Sequence, residues 1–564
     1  MNTLPRALFA LLAPALLAGG CDSGTSPEPA SSAPRASSVK TSVPWADRTE
    51  SSGISFEHDD GHDGKSWRVV ETVNGGLALT DFDGDGRLDI YFTNARKINV
   101  AGEPSHNALY RNLGSWKFED VSKASGADDT SLSLGVAVAD VEGDGDPDLY
   151  VTNWGPNRLY LNNGSGRFED QAEARGIAIP AMSSGAAFFD MEGDGDLDLY
   201  VATYVNDDKT VHEPTIVRGV PGYWPPMNYE AAPDFLFENI GKGMFRDISE
   251  TSGVRSVTPG RGLGVLASDL NSDGHPDVFV ANDMGPNFLF LNDGSGRFTE
   301  EGFLSGTALS EGGSPLGSMG VDAADFDLDG RPDLVVTNYQ SQSNNLYRAI
   351  AADVFVDMGG NSGVALGSLP EVSWGVGFQD FDLDTRIDLF VANGHLNPYV
   401  EDLEDGTAYE QPNRLFRNVD GQRFEALPSV GPLAVRQVTR GAAFGDIDGD
   451  LDLDIVVLNT RGRPQLLENL APKKRSRVRI ELVGAGPNRD GIGARVTVVA
   501  AGVTQSRERR SSASYLSAND PALIFGLGEA TSIDRVEVRW RGGRSRVYKN
   551  QPTNETLRLT ENEK

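Results

Sequence analysis

The side chains best suited to chemistry fall into one repeated pattern. Asp81-Phe-Asp-Gly-Asp-Gly-Arg-Leu-Asp89 places carboxylates at the first, third, fifth and ninth positions of a nine-residue loop, with glycine sixth. The pattern begins again at Asp140, Asp190, Asp269, Asp325, Asp380 and Asp446. Alternate residues of a tight loop point inward, so three side-chain oxygens converge, the seventh residue offers a backbone carbonyl and the ninth closes the cage. Hard oxygen donors in this number suit Ca2+ better than Mg2+, which demands a stricter octahedron. Transition metals would call for His or Cys, absent from most of the loops.

The predicted ligands are therefore Asp81, Asp83, Asp85 and Asp89; Asp140, Glu142, Asp144 and Asp148; Asp190, Glu192, Asp194 and Asp198; Asp269, Asn271, Asp273 and Asp277. Asp325, Asp327, Asp329 and Asp333, then Asp380, Asp382, Asp384 and Asp388, and finally Asp446, Asp448, Asp450 and Asp454 complete the set, for up to seven Ca2+. An EF-hand needs a bidentate Glu at position 12. Phe92, Val151, Val201, Val280, Val336, Val391 and Val457 stand there instead. A single acidic turn could simply be solvated. Seven in register argue against that, because so dense a like-charge cluster costs folding energy unless a cation neutralises it. Thr385 and Leu451 replace the sixth-position glycine, where positive φ is favoured, so the sixth and seventh loops are expected to bind more weakly.

Other chemistry is sparse. The six histidines are scattered along the chain. His395, in Asn393-Gly-His-Leu-Asn-Pro398 near the sixth loop, is the best placed of them for a special role. No nucleophile elbow, Walker loop or His-Glu-x-x-His occurs, so an enzyme has no positive signal of its own.

The loops must be held by strands. Runs such as Leu134-Gly-Val-Ala-Val-Ala139 precede each loop, and runs such as Leu149-Tyr-Val-Thr152 follow it. A third run follows an Asn-rich turn, as in Asn157-Arg-Leu-Tyr-Leu161, and a fourth opens on Phe, as in Gly166-Arg-Phe-Glu-Asp170. Four short strands per unit, repeating at 50 to 79 residues, predict the blades of a seven-bladed β-propeller of integrin-α type over residues 45–471. The fourth-strand motif is missing after Asp446, yet Trp45-Ala-Asp47 and Ser52-Gly-Ile-Ser-Phe56 stand before the first loop. The N-terminal strand should thus complete the last blade and remove its free edge.

The formal net charge is -32. Nucleic acid is excluded as a partner, because phosphate attraction needs a basic surface. The charge is uneven: residues 473–564 carry about 18 basic and about 10 acidic side chains, leaving about -40 for the rest. Residues 472–564 alternate in short strands, such as Val478-Arg-Ile-Glu-Leu482, and predict a small β-sandwich. Arg507, Arg509 and Arg510 could bind an anion, lie on a solvated face, or dock this basic module onto the acidic propeller.

Residues 1–20 read as an export signal, with Arg6 before an apolar run too short to span a bilayer. Leu17-Ala18-Gly19-Gly20-Cys21 is similar to a bacterial lipobox, and Cys21 is the only cysteine. Lipidation of Cys21 would anchor the chain to a membrane of the bacterial cell envelope, on the periplasmic side or at the surface. Residues 21–44, rich in Ser, Pro and Ala, form the tether.

Asn488-Arg-Asp-Gly-Ile-Gly-Ala-Arg495, Phe525-Gly-Leu-Gly528 and Trp540-Arg-Gly-Gly543 resemble the ASPIC/UnbV domain of the cartilage acidic protein family and its bacterial relatives. The acidic units resemble that family's FG-GAP/VCBS repeats, and Asn393-Gly-His395 matches as well. The resemblance implies a secreted or surface calcium-binding protein with a role in adhesion. It supplies neither a reaction nor a ligand. The expected function is a calcium-binding envelope module for a protein or glycan partner. The alternative is an envelope enzyme acting on a polysaccharide from one propeller face. The long insertion between the third and fourth loops, with His212, Tyr223, Trp224 and Tyr229, is expected either to present aromatic anchors to the partner or to cap the adjacent blades.

Overall fold

The computed structural model describes residues 44–63, 65–95, 105–207 and 212–562. The export signal, Cys21 and the tether to residue 43 lie outside the described residues.

Each acidic loop turns the chain from an innermost strand into the second strand of a four-stranded antiparallel sheet. In the first sheet the strands are Leu77–Thr80, Asp89–Phe92, Ala108–Gly114 and Lys117–Asp120, hydrogen-bonded in that order. The same order recurs from Ser133–Ala139, Ser183–Phe189, Gly262–Ser268, Leu316–Ala324, Ser373–Gln379 and Thr439–Gly445. The fourth and fifth sheets are also joined to each other through Asp283 and Gly317. The innermost strands neighbour one another in chain order, and Thr439–Gly445 packs against Leu77–Thr80, so the sheets close a ring. Apolar cores fill the spaces between adjacent sheets; that between the first and last joins Leu77, Leu79, Ile90 and Phe92 to Ala443, Val456 and Leu466.

Closure is covalently out of order. Trp45–Asp47 supplies the outer strand of the last sheet, pairing antiparallel with Gln465–Asn469 so that Trp45 faces Asn469. The Trp45 indole meets the Phe381 ring edge-on at 5.7 Å. Close approach of the innermost strands demands a residue without a side chain. A Cβ on Gly441 would lie 2.5 Å from the Gly75 carbonyl, and one on Gly320 only 2.1 Å from that of Trp374. Gly76, Gly135, Gly185, Gly264 and Gly375 hold the equivalent place in the other sheets.

The C-terminal module is a small sandwich. One sheet orders Leu523–Gly528, Ser476–Val483 and Thr556–Thr560; the other orders Val503–Glu508, Arg495–Ala500, Ile533–Arg539 and Ser545–Gln551. Ile480, Val496, Phe525, Val536 and Trp540 lie in the core between them.

Between Val503–Glu508 and Leu523–Gly528 the chain leaves this sandwich as a finger, residues 509–520, which doubles back where Ala513 pairs with Ser517. The finger fills the bore of the ring. Its backbone exchanges hydrogen bonds with Leu77 and Leu79 through Ala518, and with Val321 through Ser514. Val136 N–H donates to the Leu516 carbonyl, and Asp520 N–H to the Phe444 carbonyl. Ser511 Oγ joins the Phe188 backbone and Ser514 Oγ accepts from Val376. Just before the finger, Glu508 accepts from Ser268 Oγ. Every innermost strand but Gly262–Ser268 thus has a backbone group bonded to the finger, so groups that would otherwise be buried unpaired are satisfied. Tyr515, at the tip, is fully buried and donates to the Val73 carbonyl at 2.6 Å. Tyr515→Ala should lower unfolding free energy by about 3 kcal/mol in a urea titration, through the cavity and the lost bond. Tyr515→Phe should cost about 1 kcal/mol.

Candidate metal centres and the opposite mouth

Each acidic loop is wound around its first carboxylate. In the first loop Asp81 Oδ1 accepts from Gly84 and Asp85 N–H at 2.9 and 3.1 Å, and Asp81 Oδ2 from Gly86 N–H at 2.7 Å. The ninth-position carboxylate ties the loop to the sheet: Asp89 accepts from Phe82 N–H at 3.1 Å and Asn112 N–H at 2.7 Å. Asp148, Asp198, Asp277, Asp333 and Asp454 repeat both bonds. Asp388 makes the second, with Asn418.

Five loops bring three carboxylates within 4.8 Å of one another: Asp81, Asp83 and Asp85; Asp190, Glu192 and Asp198; Asp325, Asp327 and Asp333; Asp380, Asp382 and Asp388; Asp446, Asp448 and Asp454. Several acidic clusters can therefore hold a metal ion. In the second loop Glu142 turns instead to Arg175, at 3.0 Å, while Asp140, Asp144 and Asp148 keep the loop fold. In the fourth, the Asn271 amide donates to Asp273 at 3.0 Å, beside Asp269 and Asp277. Asp144, Asp194, Asp329, Asp384 and Asp450 each accept, through Oδ1, the N–H two residues on. Thr385 and Leu451 do adopt the glycine conformation, at φ 86° and 70°. Strain of this kind costs about 1 kcal/mol or more per residue.

Burial disfavours charge on these groups. It pushes the Asp89 carboxyl up to about 7 and those of Asp148 and Asp333 up to about 8. Asp198, Asp277, Asp388 and Asp454 are raised well above the carboxylate range, again chiefly by burial. Such oxygens ionise readily only beside a cation.

The basic sandwich sits on the loops. Arg541 donates to the carbonyls of Asp190 and Gly274, and Arg475 to Asp382. Arg477 lies 3.8 Å from Asp450, and Arg510 pairs with Asp322 at 2.9 Å. Docking, the third option for the arginine-rich strand, is therefore what the fold adopts. Arg509 is buried and Arg507 half-buried. The sandwich also brings carboxylates that the loop pattern could not reveal: Asp490 accepts from Asp140 N–H at 2.8 Å, and Asp520 from Asp446 N–H at 3.4 Å.

A second element escaped the sequence reading although its signal was present. The Asn closing the third strand recurs as Asn112, Asn162, Asn239, Asn292, Asn418 and Asn469. Each side-chain amide donates to a loop carbonyl of the preceding sheet; Asn112 reaches Ile447 at 3.0 Å, across the ring's seam.

At the other mouth the long insertion lies over the bore. Its hairpin, Thr215–Val217 with Val220–Gly222, is held by the sixth sheet's loop. Asn397 Nδ2 donates to the Pro221 carbonyl at 2.9 Å, and Arg218 pairs with Asp405 at 2.6 Å. The anchor reading of this insertion is corrected here. Tyr223 and Tyr229 are only 8% and 7% exposed, and half-buried Trp224 packs against the same central core. The His212 ring lies 4.4 Å from Trp224. These residues cap, because the bore leaves apolar side chains at its end that need cover. His395 is buried too, its Nδ1 accepting from Asn397 N–H at 3.0 Å and its Nε2 3.3 Å from Tyr339 Oη. Burial and the neighbouring Arg440 lower it to about 4, so it is neutral.

Beneath the hairpin lie polar groups that belong to none of the loops. His62 Nδ1 meets Glu71 Oε2 at 2.7 Å, and Tyr223 Oη donates to the same oxygen at 3.1 Å. Arg461 Nε donates to Asp60 at 2.6 Å. Burial raises the Glu71 carboxyl, while the Glu71 bond raises the His62 imidazole.

A ring of sheets with acidic loops, docked to a basic sandwich, defines an integrin-like β-propeller carrying a C-terminal β domain. The chain carries FG-GAP-like repeats and an ASPIC and UnbV domain: the repeat model matches residues 81–151, 140–201, 269–336 and 380–457, and the domain model residues 484–564. Cartilage acidic protein 1 of Mus musculus is 28% identical over 355 residues, 58% of this chain and 51% of the relative. That of Homo sapiens is 28% identical over 335 residues, 55% and 46%. The chain thus spans about half the length of the curated relatives it matches. Among solved structures, the BP39L lectin of Burkholderia pseudomallei aligns with TM-score 0.43 and 12% identity, covering 71% of this chain and 98% of the lectin. Rhamnogalacturonan lyase YesW aligns with TM-score 0.36 and 13% identity, covering 71% and 72%.

Proposed function

We propose that the chain is a calcium-stabilised binding module of a bacterial cell envelope, anchored through a lipid on Cys21, whose partner is a protein or a glycan. The observation that supports it best is the convergence of three carboxylates in each of five loops, at the first, third and ninth positions in four of them. Burial raises the ninth-position carboxyls, a cost that a bound cation would offset, and Ca2+ is the hard cation their oxygens suit. The Asp490 and Asp520 carboxylates beside the second and seventh loops favour cation binding there as well. With the sandwich docked over the loops and its finger in the bore, the accessible face for a partner is the opposite mouth. Calorimetric titration of the metal-stripped chain with Ca2+, with metal analysis of the purified chain, tests the calcium reading. Several sites are expected; no heat and no bound metal would reject it.

The alternative, an envelope enzyme acting on a polysaccharide, draws on the Glu71–His62–Tyr223 cluster, a set of convergent polar groups outside the loops. Polysaccharide turnover by the calcium-loaded chain, lost in Glu71→Gln, would decide for it. Anchoring has its own test. Cys21→Ser should move the protein from the membrane fraction to the soluble one or block its processing, as judged by fractionation and immunoblot; unchanged membrane association would remove the lipid from the account.

A further inference from the structure

The mouth opposite the acidic loops combines an aromatic platform with hydroxyl-type hydrogen-bonding groups, and its charges are already matched. Trp67 lies 5.1 Å from Tyr223 and 5.8 Å from Tyr399, ring centre to ring centre. Tyr399 is 44% exposed and Trp67 is half-buried, so their faces form the rim. The His62 ring is 6.1 Å from that of Trp67. A side chain only 1% exposed, Glu71, holds His62 by its Nδ1, which fixes the imidazole and leaves Nε2 for a ligand. Below, His58 is 3% exposed and neither of its ring nitrogens has a hydrogen-bond partner. A buried polar group without a partner calls for an occupant able to satisfy it.

The class of that occupant follows from the charges. Asp60 is paired with Arg461, Glu71 with His62, and Asp63 lies 3.8 Å from Arg68. Beneath the platform each of these carboxylates has a basic partner, so that floor offers no free charge to a phosphate, a polyanion or a cation. What remains is flat aromatic surface beside an oriented imidazole, which suits an uncharged ring with apolar faces and an edge of hydroxyls. A hydroxyl both donates and accepts, so it serves the His62 Nε2 whether or not that nitrogen carries a proton.

We propose that this mouth is a saccharide-binding site, in which Trp67 and Tyr399 stack against a sugar ring and His62, positioned by Glu71, bonds its hydroxyls. The proposal rests on the binding-module reading above and names its partner's class. The calcium-loaded full chain is screened on an array of mono- and oligosaccharides, and each hit is titrated by tryptophan fluorescence. At least one saccharide should bind. Trp67→Ala and His62→Ala should each weaken it about tenfold or more, with melting temperature and calcium stoichiometry unchanged. Should Trp67→Ala fail to fold, Tyr399→Ala at the exposed rim carries the same expectation. No saccharide bound by the folded, calcium-loaded chain, or binding that survives these substitutions, would overturn the proposal. Failure of the calcium reading would appear in the calorimeter instead, so the two outcomes are distinct.

Discussion

Excess chelator is expected to lower the melting temperature of the chain by about 10 °C or more, the sum of several linked sites that each contribute about 2.7 kcal/mol at a hundredfold excess over Kd. Five loops hold carboxylates in groups of three, and no disulfide can offset their repulsion, because Cys21 is the only cysteine. The pH dependence of the stripped chain should reveal the same groups. Burial raises Asp148 and Asp333 to about 8, far above an unfolded carboxyl. A raised folded-state value means stability that is full below the unfolded value and lost as pH rises through about 8. The metal-stripped chain should therefore melt higher at pH 5 than at pH 8. With Ca2+ present the trend should reverse, since protons then compete with the metal for the same oxygens. A melting curve unmoved by chelator, or one pH trend shared by both forms, would sink the calcium account.

Deleting residues 45–56 should produce the second large effect. Without Trp45–Asp47, the edge of Gln465–Asn469 loses its partner and Phe381 its edge-on indole. Ile54 and Phe56, both buried between the first and last sheets, leave as well. An exposed, unpaired strand edge invites pairing with another chain. The deleted form should aggregate, or melt at least about 10 °C lower, in light scattering and calorimetry. Deleting residues 23–41 should leave both readings unchanged. Equal behaviour of the two deletions would mean that the seam is not held by this strand.

The sequence was most legible where one pattern recurred. Seven acidic loops in register with strand-like runs pointed to a propeller, and the missing outer strand after Asp446 pointed to Trp45. The finger was not legible. Residues 509–520 have no alternation of their own, since their hydrogen-bond partners in the ring lie 74 to 442 residues away. Tyr223 and Tyr229 were open to either reading, because aromatic content does not tell which surface a long loop will cross. The ligand set was read by residue type alone. Orientation separated Glu142, drawn away by Arg175, from Glu192, which faces its neighbours.

The finger also bears on how the molecule is made. It follows every sheet of the ring in the sequence, while the strand that seals the seam precedes them all. During synthesis the first strand must wait beside unfinished sheets until Gln465–Asn469 emerges, and only then does a closed bore exist to receive residues 509–520. Because the finger doubles back on itself, it can enter from the loop side without threading. A seated finger is thus a record of completed assembly, and a chain interrupted before it would be a ring with no stopper. Its innermost backbone groups would stay open to water and to other chains, an address that a quality-control protease can read.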